Sequence, residues 1–246
     1  MRQTLILSLA LATLAASGSA RAAEPKQNAL TRAEIKAGWR LLFDGKTTKG
    51  WRGFDKPEVA GWTVADGILA RTAKGGDVMT EEEFSDFEFK ADWKIEEGGN
   101  SGIIYRAATT EKAPYLTGPE YQLLDDERHP DAKAGKDGNR TSGSLYDVYA
   151  PAKKVVKPAG GWNTTKIVVK GNQVEHWLNG EKVVQAEIGS ADWATRVSGS
   201  KWAKVAAYGT TKAGHIDLQD HGNKVEFRNI KVLDLTKAAK AKPAKR

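Results

Sequence analysis

The chain has 246 residues and a formal net charge of +7, from 38 lysines and arginines against 31 acidic residues. It contains no cysteine, which excludes disulfides, thiolate catalysis and cysteine-bound zinc or iron–sulfur clusters. Two arginines before residue 23 and five basic residues after residue 236 account for the whole excess of positive charge. The remainder is neutral, so we expect no nucleic-acid partner.

The first residues have the order of a secretory leader. Met1 and Arg2 precede an apolar run from Leu5 to Leu14 and the small-residue exit Ala20-Arg21-Ala22. This order predicts a signal peptide over residues 1–22 and export to the periplasm or the outside. A buried N-terminal helix is the alternative, but the segment has no polar face. No cysteine follows, and no later stretch reaches about 18 apolar residues, so we expect a soluble protein that is neither a lipoprotein nor membrane-spanning.

The rest of the chain divides into three parts, with no internal repeat and no domain linker. Residues 23–37 hold one helical candidate, because Thr31 and Glu34 have capping-box spacing. Residues 38–236 form the predicted β domain. Residues 237–246 are an Ala/Lys/Pro mixture that we expect to be a disordered basic tail.

Alternation with a period of two marks the strands of the β domain. From Phe87 to Ile95, apolar residues alternate with charged ones, as in a strand with one buried and one solvated face. Turn signals at Asp66-Gly67, Lys170–Gln173 and Asn179-Gly180 predict hairpins. Many short strands without long helices favour an all-β sandwich or barrel. Further strands are predicted at 100–106, 119–125, 143–149, 163–170, 173–178, 202–208, 214–219 and 224–234.

Three of these strands carry polar residues on one face, because side chains alternate along a strand. Carboxylates, amides, imidazoles and an arginine on such a face can hydrogen-bond sugar hydroxyls, and Tyr146 or Trp177 can stack on a sugar ring. An ordinary solvated sheet face is the alternative, and His176 can equally be a buried sheet histidine. The candidate catalytic residues are Glu120 and His221, and the candidate substrate-binding residues are Asn100, Arg106, Gln122, Asp125, Tyr146, His176, Asp217 and Gln219.

Long polar loops at 107–118 and 126–142 flank the segment around Glu120, where a β-sandwich often carries its site. Other chemistries lack their motifs: we find no H-E-x-x-H, no G-x-S-x-G elbow, no P-loop and no Rossmann fingerprint. A site of two histidines and two acids for a metal is conceivable, but no tight ligand spacing supports it. We therefore predict no cofactor, and although calcium is compatible with this fold class, no ligand loop compels it.

Several phrases occur together in an order and spacing that resemble the 3-keto-disaccharide hydrolase family, from about residue 38 to 235. Each phrase is weak alone, and their combination is specific. They are Leu41–Lys46 with Gly50-Trp51, Trp62-Thr63-Val64 with Asp66-Gly67, Asp86–Phe89, Gly99–Ile103, Glu120-Tyr121-Gln122, Trp162-Asn163, His176–Gly180, Gln219–Gly222 and Glu226–Ile230.

The resemblance implies a two-sheet jelly-roll sandwich of the concanavalin A-like type, export, and action on glycosides whose C3 hydroxyl is already a ketone. Such a ketone acidifies the proton on C2, so a base can remove it and the enolate can expel the C1 leaving group before water adds. Our hypothesis assigns Glu120 as the base and His221 as the acid or enolate partner. Arg106, Gln122 and Gln219 would hold hydroxyl and carbonyl groups.

Three other functions stay open at this point. The same sandwich can serve as a non-catalytic carbohydrate-binding module, since fold does not decide function. A conventional glycoside hydrolase would pair Glu120 with Asp125 or Asp217 and would not require the ketone. A structural role would follow if Glu120, Gln219 and His221 did not line one groove.

Overall fold

The computed structural model describes residues 26–240. The predicted signal peptide and the last six residues lie outside this range. The helices are α1 (Arg32–Ala37), α2 (Asp131–Ala134), α3 (Ala191–Ser198) and α4 (Leu235–Lys240). The strands are β1 (Arg40–Leu41), β2 (Trp51–Gly53), β3 (Trp62–Ala65), β4 (Ile68–Arg71), β5 (Val78–Thr80), β6 (Phe87–Ile95), β7 (Asn100–Ala107), β8 (Glu120–Leu124), β9 (Asn163–Lys170), β10 (Gln173–Leu178), β11 (Glu181–Glu187), β12 (His215–Leu218) and β13 (Val225–Asp234).

The strands form two antiparallel sheets packed as a sandwich. The larger sheet has the order β11-β10-β9-β6-β13-β4-β3, with β1 paired to β13, and the smaller sheet has the order β2-β5-β12-β7-β8. The prediction of an all-β, two-sheet sandwich is therefore confirmed. In the part of the chain that the structure describes, no helix is long and apolar enough to cross a membrane.

The core lies between the sheets and follows from the alternation seen in the sequence. In β6 every second residue from Phe87 to Ile95 is buried, and the charged residues between them are half-buried on the outer face. Trp93 and Phe89 are fully buried in one cluster with residues of the smaller sheet, such as Tyr105 and Leu218. Burying each such side chain stabilises the fold by roughly 1.5–3 kcal/mol relative to exposure.

The predicted turns and the first helix are confirmed. Asp66 and Gly67 have φ of 51° and 74°, and Asn179 and Gly180 have φ of 50° and 86°, the paired positive values that a type I′ turn requires. These turns join β3 to β4 and β10 to β11. Thr31 caps α1 through a complete capping box with Glu34.

Two predicted strands are wrong. Residues 143–149 form turns with isolated bridges from Leu145 to Tyr121 and Tyr149, and residues 202–208 form successive turns. The apolar spacing in the second segment arises from Trp202 and Tyr208, whose rings stack with centroids 4.8 Å apart instead of following a pleat. Helix α3 was not predicted, and α4 makes Lys237–Lys240 helical where a disordered tail was expected.

Candidate active site

A pocket of about 310 Å³ opens on the outer face of the smaller sheet. The sheet forms its floor, and the segments between the strands form one aromatic wall. Its lining residues are Asn100, Tyr115, Glu120, Gln122, Tyr146, Lys201, Trp202, Gln219 and His221. Six of these nine were candidates from the sequence, including both candidate catalytic residues. Glu120, Gln219 and His221 therefore do line one groove.

Strand register explains why the floor residues meet. Gly102 of β7 pairs with Gln122 of β8, and Ile104 pairs with Glu120. On the other side of β7, the backbone N–H of Gln219 donates to the carbonyl oxygen of Gly102 at 3.0 Å. The alternation predicted from sequence thus brings side chains of three neighbouring strands to one face.

Glu120 is the carboxylate of this pocket and is only 4% exposed. Burial raises the pKa of Glu120 to about 8, the nearby Lys201 charge opposes this, and Asp77 and Asp131 add to it. Among residues 26–240, no donor hydrogen-bonds its carboxylate. A carboxyl group that is poorly solvated and unpaired is a stronger base when ionised than an ordinary glutamate.

The amides beside Glu120 leave hydrogen-bonding capacity unused. Gln122 Oε1 accepts from the N–H of Leu123 at 3.1 Å. Asn100 Oδ1 is buried and has no partner within the described chain. Because a buried oxygen without a partner is costly, the hydroxyl of a ligand would satisfy it.

His221 stands at the exposed side of the pocket, on a turn that is fixed by its neighbour. The Asp220 carboxylate accepts from Arg71 Nε at 2.7 Å and from the N–H groups of Gly75 and Gly76 at 3.1 and 3.0 Å. The His221 ring meets the His129 ring edge-on, with centroids 6.1 Å apart. Partial burial, and then the charge of His129, lower the pKa of His221.

The aromatic wall is built from loops. The Tyr146 hydroxyl donates to Asp131 Oδ2 at 2.6 Å, which ties the wall to α2. Trp202 Nε1 donates to the Tyr146 carbonyl at 3.1 Å. Tyr115 lies at the rim, 37% exposed, with its ring centroid 6.1 Å from that of Trp202. An exposed ring at a pocket mouth is the kind of surface on which sugar rings stack.

Lys201 is the cation of the pocket, and the sequence did not indicate it. Its ammonium nitrogen lies 4.1 Å from the ring centroid of Tyr146 and 4.7 Å from that of Trp202. Lys201 and Tyr115 come from segments without a predicted strand, and Trp202 belongs to a predicted strand that does not form. Alternation could therefore not have brought these three residues to the pocket.

Arg106 does not reach the pocket, contrary to the prediction. It has a φ of 53°, which breaks the alternation of β7 at its end. Its guanidinium instead donates to the Ser85 carbonyl at 3.0 and 2.7 Å and to the Gly171 carbonyl at 2.8 Å. Arg106 therefore links the end of β7 in the smaller sheet to the segments just before β6 and between β9 and β10 in the larger sheet.

His176 and Asp125 also lie elsewhere. His176 is fully buried in the core, where Nδ1–H donates to the Gly143 carbonyl at 3.1 Å and Nε2 accepts from the Tyr105 hydroxyl at 3.0 Å. Burial lowers its pKa to about 4, so the ring is neutral. Asp125 accepts from the N–H of Gly98 at 2.7 Å and from the N–H of Glu127 at 3.2 Å, so it orders the turn before β7 and the loop that follows β8.

Asp217 shares the polar face with Glu120 but is completely buried. It stands in register between Met79 and Ile104, whose apolar side chains are fully buried with it. Neither carboxylate oxygen has a partner among the described residues. Burial, with the charges of Asp77 and Glu120, raises the pKa of Asp217 well above its ordinary value.

Within residues 26–240, no group of three or more His, Asp or Glu side chains has the arrangement of a metal site. The lining instead combines one base, three amides, an imidazole, an ammonium group and three aromatic rings. Such a set can bind a polyhydroxylated ring, remove a proton from it and stabilise the resulting negative charge.

Known proteins with similar sequences belong to a family of carbohydrate-active enzymes. Residues 38–233 match the family described as "3-keto-alpha-glucoside-1,2-lyase-like domain". A curated protein of Bacteroides thetaiotaomicron named 3-keto-disaccharide hydrolase is 39% identical over 225 aligned residues, covering 79% of this chain and 78% of its own.

Two crystal structures of Parabacteroides distasonis proteins, each provisionally named a glycosyl hydrolase, have a similar fold. The first is 41% identical, with a TM-score of 0.79 over 85% of this chain and 99% of its own. The second is 27% identical, with a TM-score of 0.63 over 80% and 98%.

Proposed function

Because the chain belongs to the 3-keto-alpha-glucoside-1,2-lyase-like family, we propose that it is an enzyme that cleaves the glycosidic bond of 3-keto-disaccharides or related 3-keto-glycosides. The name of its Bacteroides thetaiotaomicron relative supports the substrate class. The family description, a 1,2-lyase, supports an elimination across C1 and C2. The observation that carries the proposal is the single buried carboxylate, Glu120, in a pocket of polar and aromatic side chains.

The first step is removal of the C2 proton by ionised Glu120. The electron pair of the C2–H bond becomes the C2=C3 double bond, and the carbonyl pair moves to the C3 oxygen. The product is an enolate and a protonated Glu120. The raised pKa of Glu120 matches this task better than an ordinary carboxylate, because the C2 proton is only weakly acidic.

The second step breaks the C1–O bond. The enolate pair re-forms the C3 carbonyl, the former C2=C3 pair becomes C1=C2, and the leaving oxygen takes a proton. We assign this proton to His221, whose pKa rises when a negative enolate lies in the same pocket. Water then adds its hydroxyl to C1 while its remaining proton passes to His221, and Glu120 returns a proton to C2. Both side chains are thereby restored, and the net reaction is hydrolysis.

A conventional glycoside hydrolase is less well supported by the geometry. That mechanism needs two carboxyl groups roughly 5–9.5 Å apart around the scissile bond. Of the described residues that line the pocket, Glu120 alone is a carboxylate. Asp217 is enclosed among apolar side chains and Asp125 orders a loop, so neither proposed partner faces the pocket.

The test compares a 3-keto-disaccharide with its unoxidised parent, following release of both sugars by the purified protein. We expect release from the keto substrate alone, and its loss in Glu120→Gln. Glu127→Gln, an exposed glutamate of the same region, is the matched control and should keep wild-type activity. Equal cleavage of the unoxidised parent would contradict the proposal.

We also propose that the enzyme acts outside the cytoplasm. The support is the order of residues 1–22, with a positive start, an apolar run and a small-residue exit. Fractionation of cells expressing the full chain should place it outside the cytoplasm, and deletion of residues 2–22 should retain it inside. Cytoplasmic retention of both forms would overturn this.

A further inference from the structure

We propose that Lys201 is a catalytic residue, whose ammonium group binds the C3 oxygen of the substrate and stabilises the negative charge that forms there. This inference rests on the proposed function, and it adds a residue that neither the strand pattern nor the family comparison assigns. The pocket would then use two charged groups, the base Glu120 and the cation Lys201, which both line it.

The backbone of Lys201 is held in place. Its N–H donates to Asp147 Oδ2 at 2.8 Å, and Asp147 Oδ1 accepts from Arg140 Nε at 2.6 Å. Asp147 itself has a φ of 62°, a conformation that the surrounding contacts must maintain. The backbone position of Lys201 beside the pocket is therefore fixed by these contacts.

The ammonium group is oriented but not neutralised. It lies over the rings of Tyr146 and Trp202, at 4.1 and 4.7 Å from their centroids. No carboxylate of the described residues forms an ion pair with it. Arg140, the other cation over Tyr146, is by contrast bonded to Asp131 and Asp147. Lys201 is thus the lining residue whose positive charge is available to a ligand.

Lys201 lies close enough to Glu120 for its charge to act on the carboxylate. Its charge is the main influence that lowers the pKa of Glu120 against burial. When Glu120 takes the C2 proton, its negative charge disappears and an equal charge appears on the C3 oxygen. Lys201 is itself exposed, but it lines the same pocket as buried Glu120. A cation placed there stabilises a charge on a poorly solvated oxygen far more than water does.

The test measures exchange of the C2 proton of a 3-keto-disaccharide in D₂O, together with cleavage. Lys201→Met should slow both by about 100-fold or more, the loss typical of one oxyanion donor. Lys201→Arg should recover part of the rate, and ethylammonium ion added to Lys201→Ala should recover part in proportion to its concentration. Lys204→Met removes an exposed lysine of the same segment and should leave both rates unchanged.

A role in structure alone would not change the pH profile. Without the Lys201 charge, the pKa of Glu120 rises. The pH at which the exchange rate increases should therefore be higher for Lys201→Met than for the wild type. If the wild type exchanges the C2 proton and Lys201→Met does so with the same rate and pH profile, this inference is overturned and the proposed function is not. Absence of exchange and cleavage in the wild type would overturn the proposed function itself. If Lys201→Met does not fold, amine rescue of Lys201→Ala decides the question.

Discussion

Gly102 and Glu120 lie on neighbouring strands with no space for a side chain between them. A Cβ built on Gly102 would lie 2.8 Å from Glu120 Cδ and closer still to Oε1. The glycine in the phrase Gly99–Ile103 is therefore explained by the carboxylate that rests against it. Gly102 on β7 therefore determines where the carboxylate of Glu120 on β8 can lie.

Substituting Gly102→Ala should displace the Glu120 carboxylate while the sandwich still folds. We expect loss of cleavage by about 100-fold, because an error of about 1 Å in a catalytic group has an effect of this size. Gly199→Ala is the matched control, since a Cβ there meets only ordinary contacts at 3.7 Å or more. Full activity in Gly102→Ala, with Glu120 unmoved in a crystal structure, would contradict the argument.

The rate of C2 proton exchange should rise with pH through about 8. Glu120 acts only when ionised, and its pKa is about 8 because of burial, so its reactive fraction grows tenfold per pH unit below that value. The measurement is exchange in buffered D₂O from pH 5 to 9.5, on a timescale shorter than exchange of the free sugar. An exchange rate that is already constant from pH 5 upward would show that the pKa of Glu120 is that of an ordinary glutamate, which would contradict this prediction.

The contribution of Glu120 and Asp77 to stability should fall as the pH rises from about 4 to 8. Glu120 has a folded-state pKa of about 8 and Asp77 of about 6, and both lie above their unfolded values. The folded state therefore binds more protons in this range, and its advantage, fully present below the unfolded pKa, is lost as pH rises through the folded pKa. Glu120→Gln should remove part of this slope, on the order of 1–4 kcal/mol between pH 4.5 and 8. Urea unfolding of both proteins at several pH values measures it, and identical slopes would refute it.

Tyr115 should decide affinity for the leaving group. Its exposed ring at the rim can stack on the outer sugar, so Tyr115→Ala should raise KM for a 3-keto-disaccharide by about 10-fold, from a stacking contact of about 1.4 kcal/mol. For a 3-keto-glucosyl substrate with a methoxy leaving group, Tyr115→Ala should have the same KM as the wild type. Tyr115→Phe is the control that keeps the ring. Equal losses on both substrates would place Tyr115 outside the leaving-group site.

His221 should matter most when the leaving group needs a proton. His221→Asn is expected to slow release of a sugar alcohol by about 100-fold or more, and to slow release of 4-nitrophenolate much less. His129→Asn, which removes the neighbouring ring, serves as the control for general disturbance of the turn. Equal loss with both leaving groups would assign His221 to the enolate instead.

Local signals in the sequence were sufficient for most of the fold. The alternation in β6, the capping box of Thr31 and the Asn-Gly turn at Asn179 each act within a few residues, and each is present in the structure. The turns at 202–208 were predicted as a strand because Trp202 and Tyr208 are spaced like strand residues. Their burial comes from ring stacking in a loop, which depends on distant partners such as Trp193.

The site was only partly predictable for the same reason. Asn100, Glu120 and Gln122 lie on regular strands, so alternation placed them on one face. Arg106 left that face because of a left-handed backbone conformation, and Asp217 stayed on the face but was buried between Met79 and Ile104. Lys201 reaches the pocket from a loop, where only the folded chain shows its neighbours.

The most direct test of Glu120 as the base that removes the C2 proton is deuterium at C2 of the released 3-keto sugar. The enzyme cleaves a 3-keto-disaccharide in D₂O, the product is examined by NMR at early times, and the same sugar incubated without enzyme gives the background. We expect deuterium at C2 in nearly every molecule released, and no release by Glu120→Gln. Cleavage that leaves the original proton on C2, at a rate that is unchanged when the substrate itself carries deuterium at C2, would contradict this, because the C2–H bond would then not be broken. Slower cleavage of the deuterated substrate would instead show that Glu120 returns the same proton.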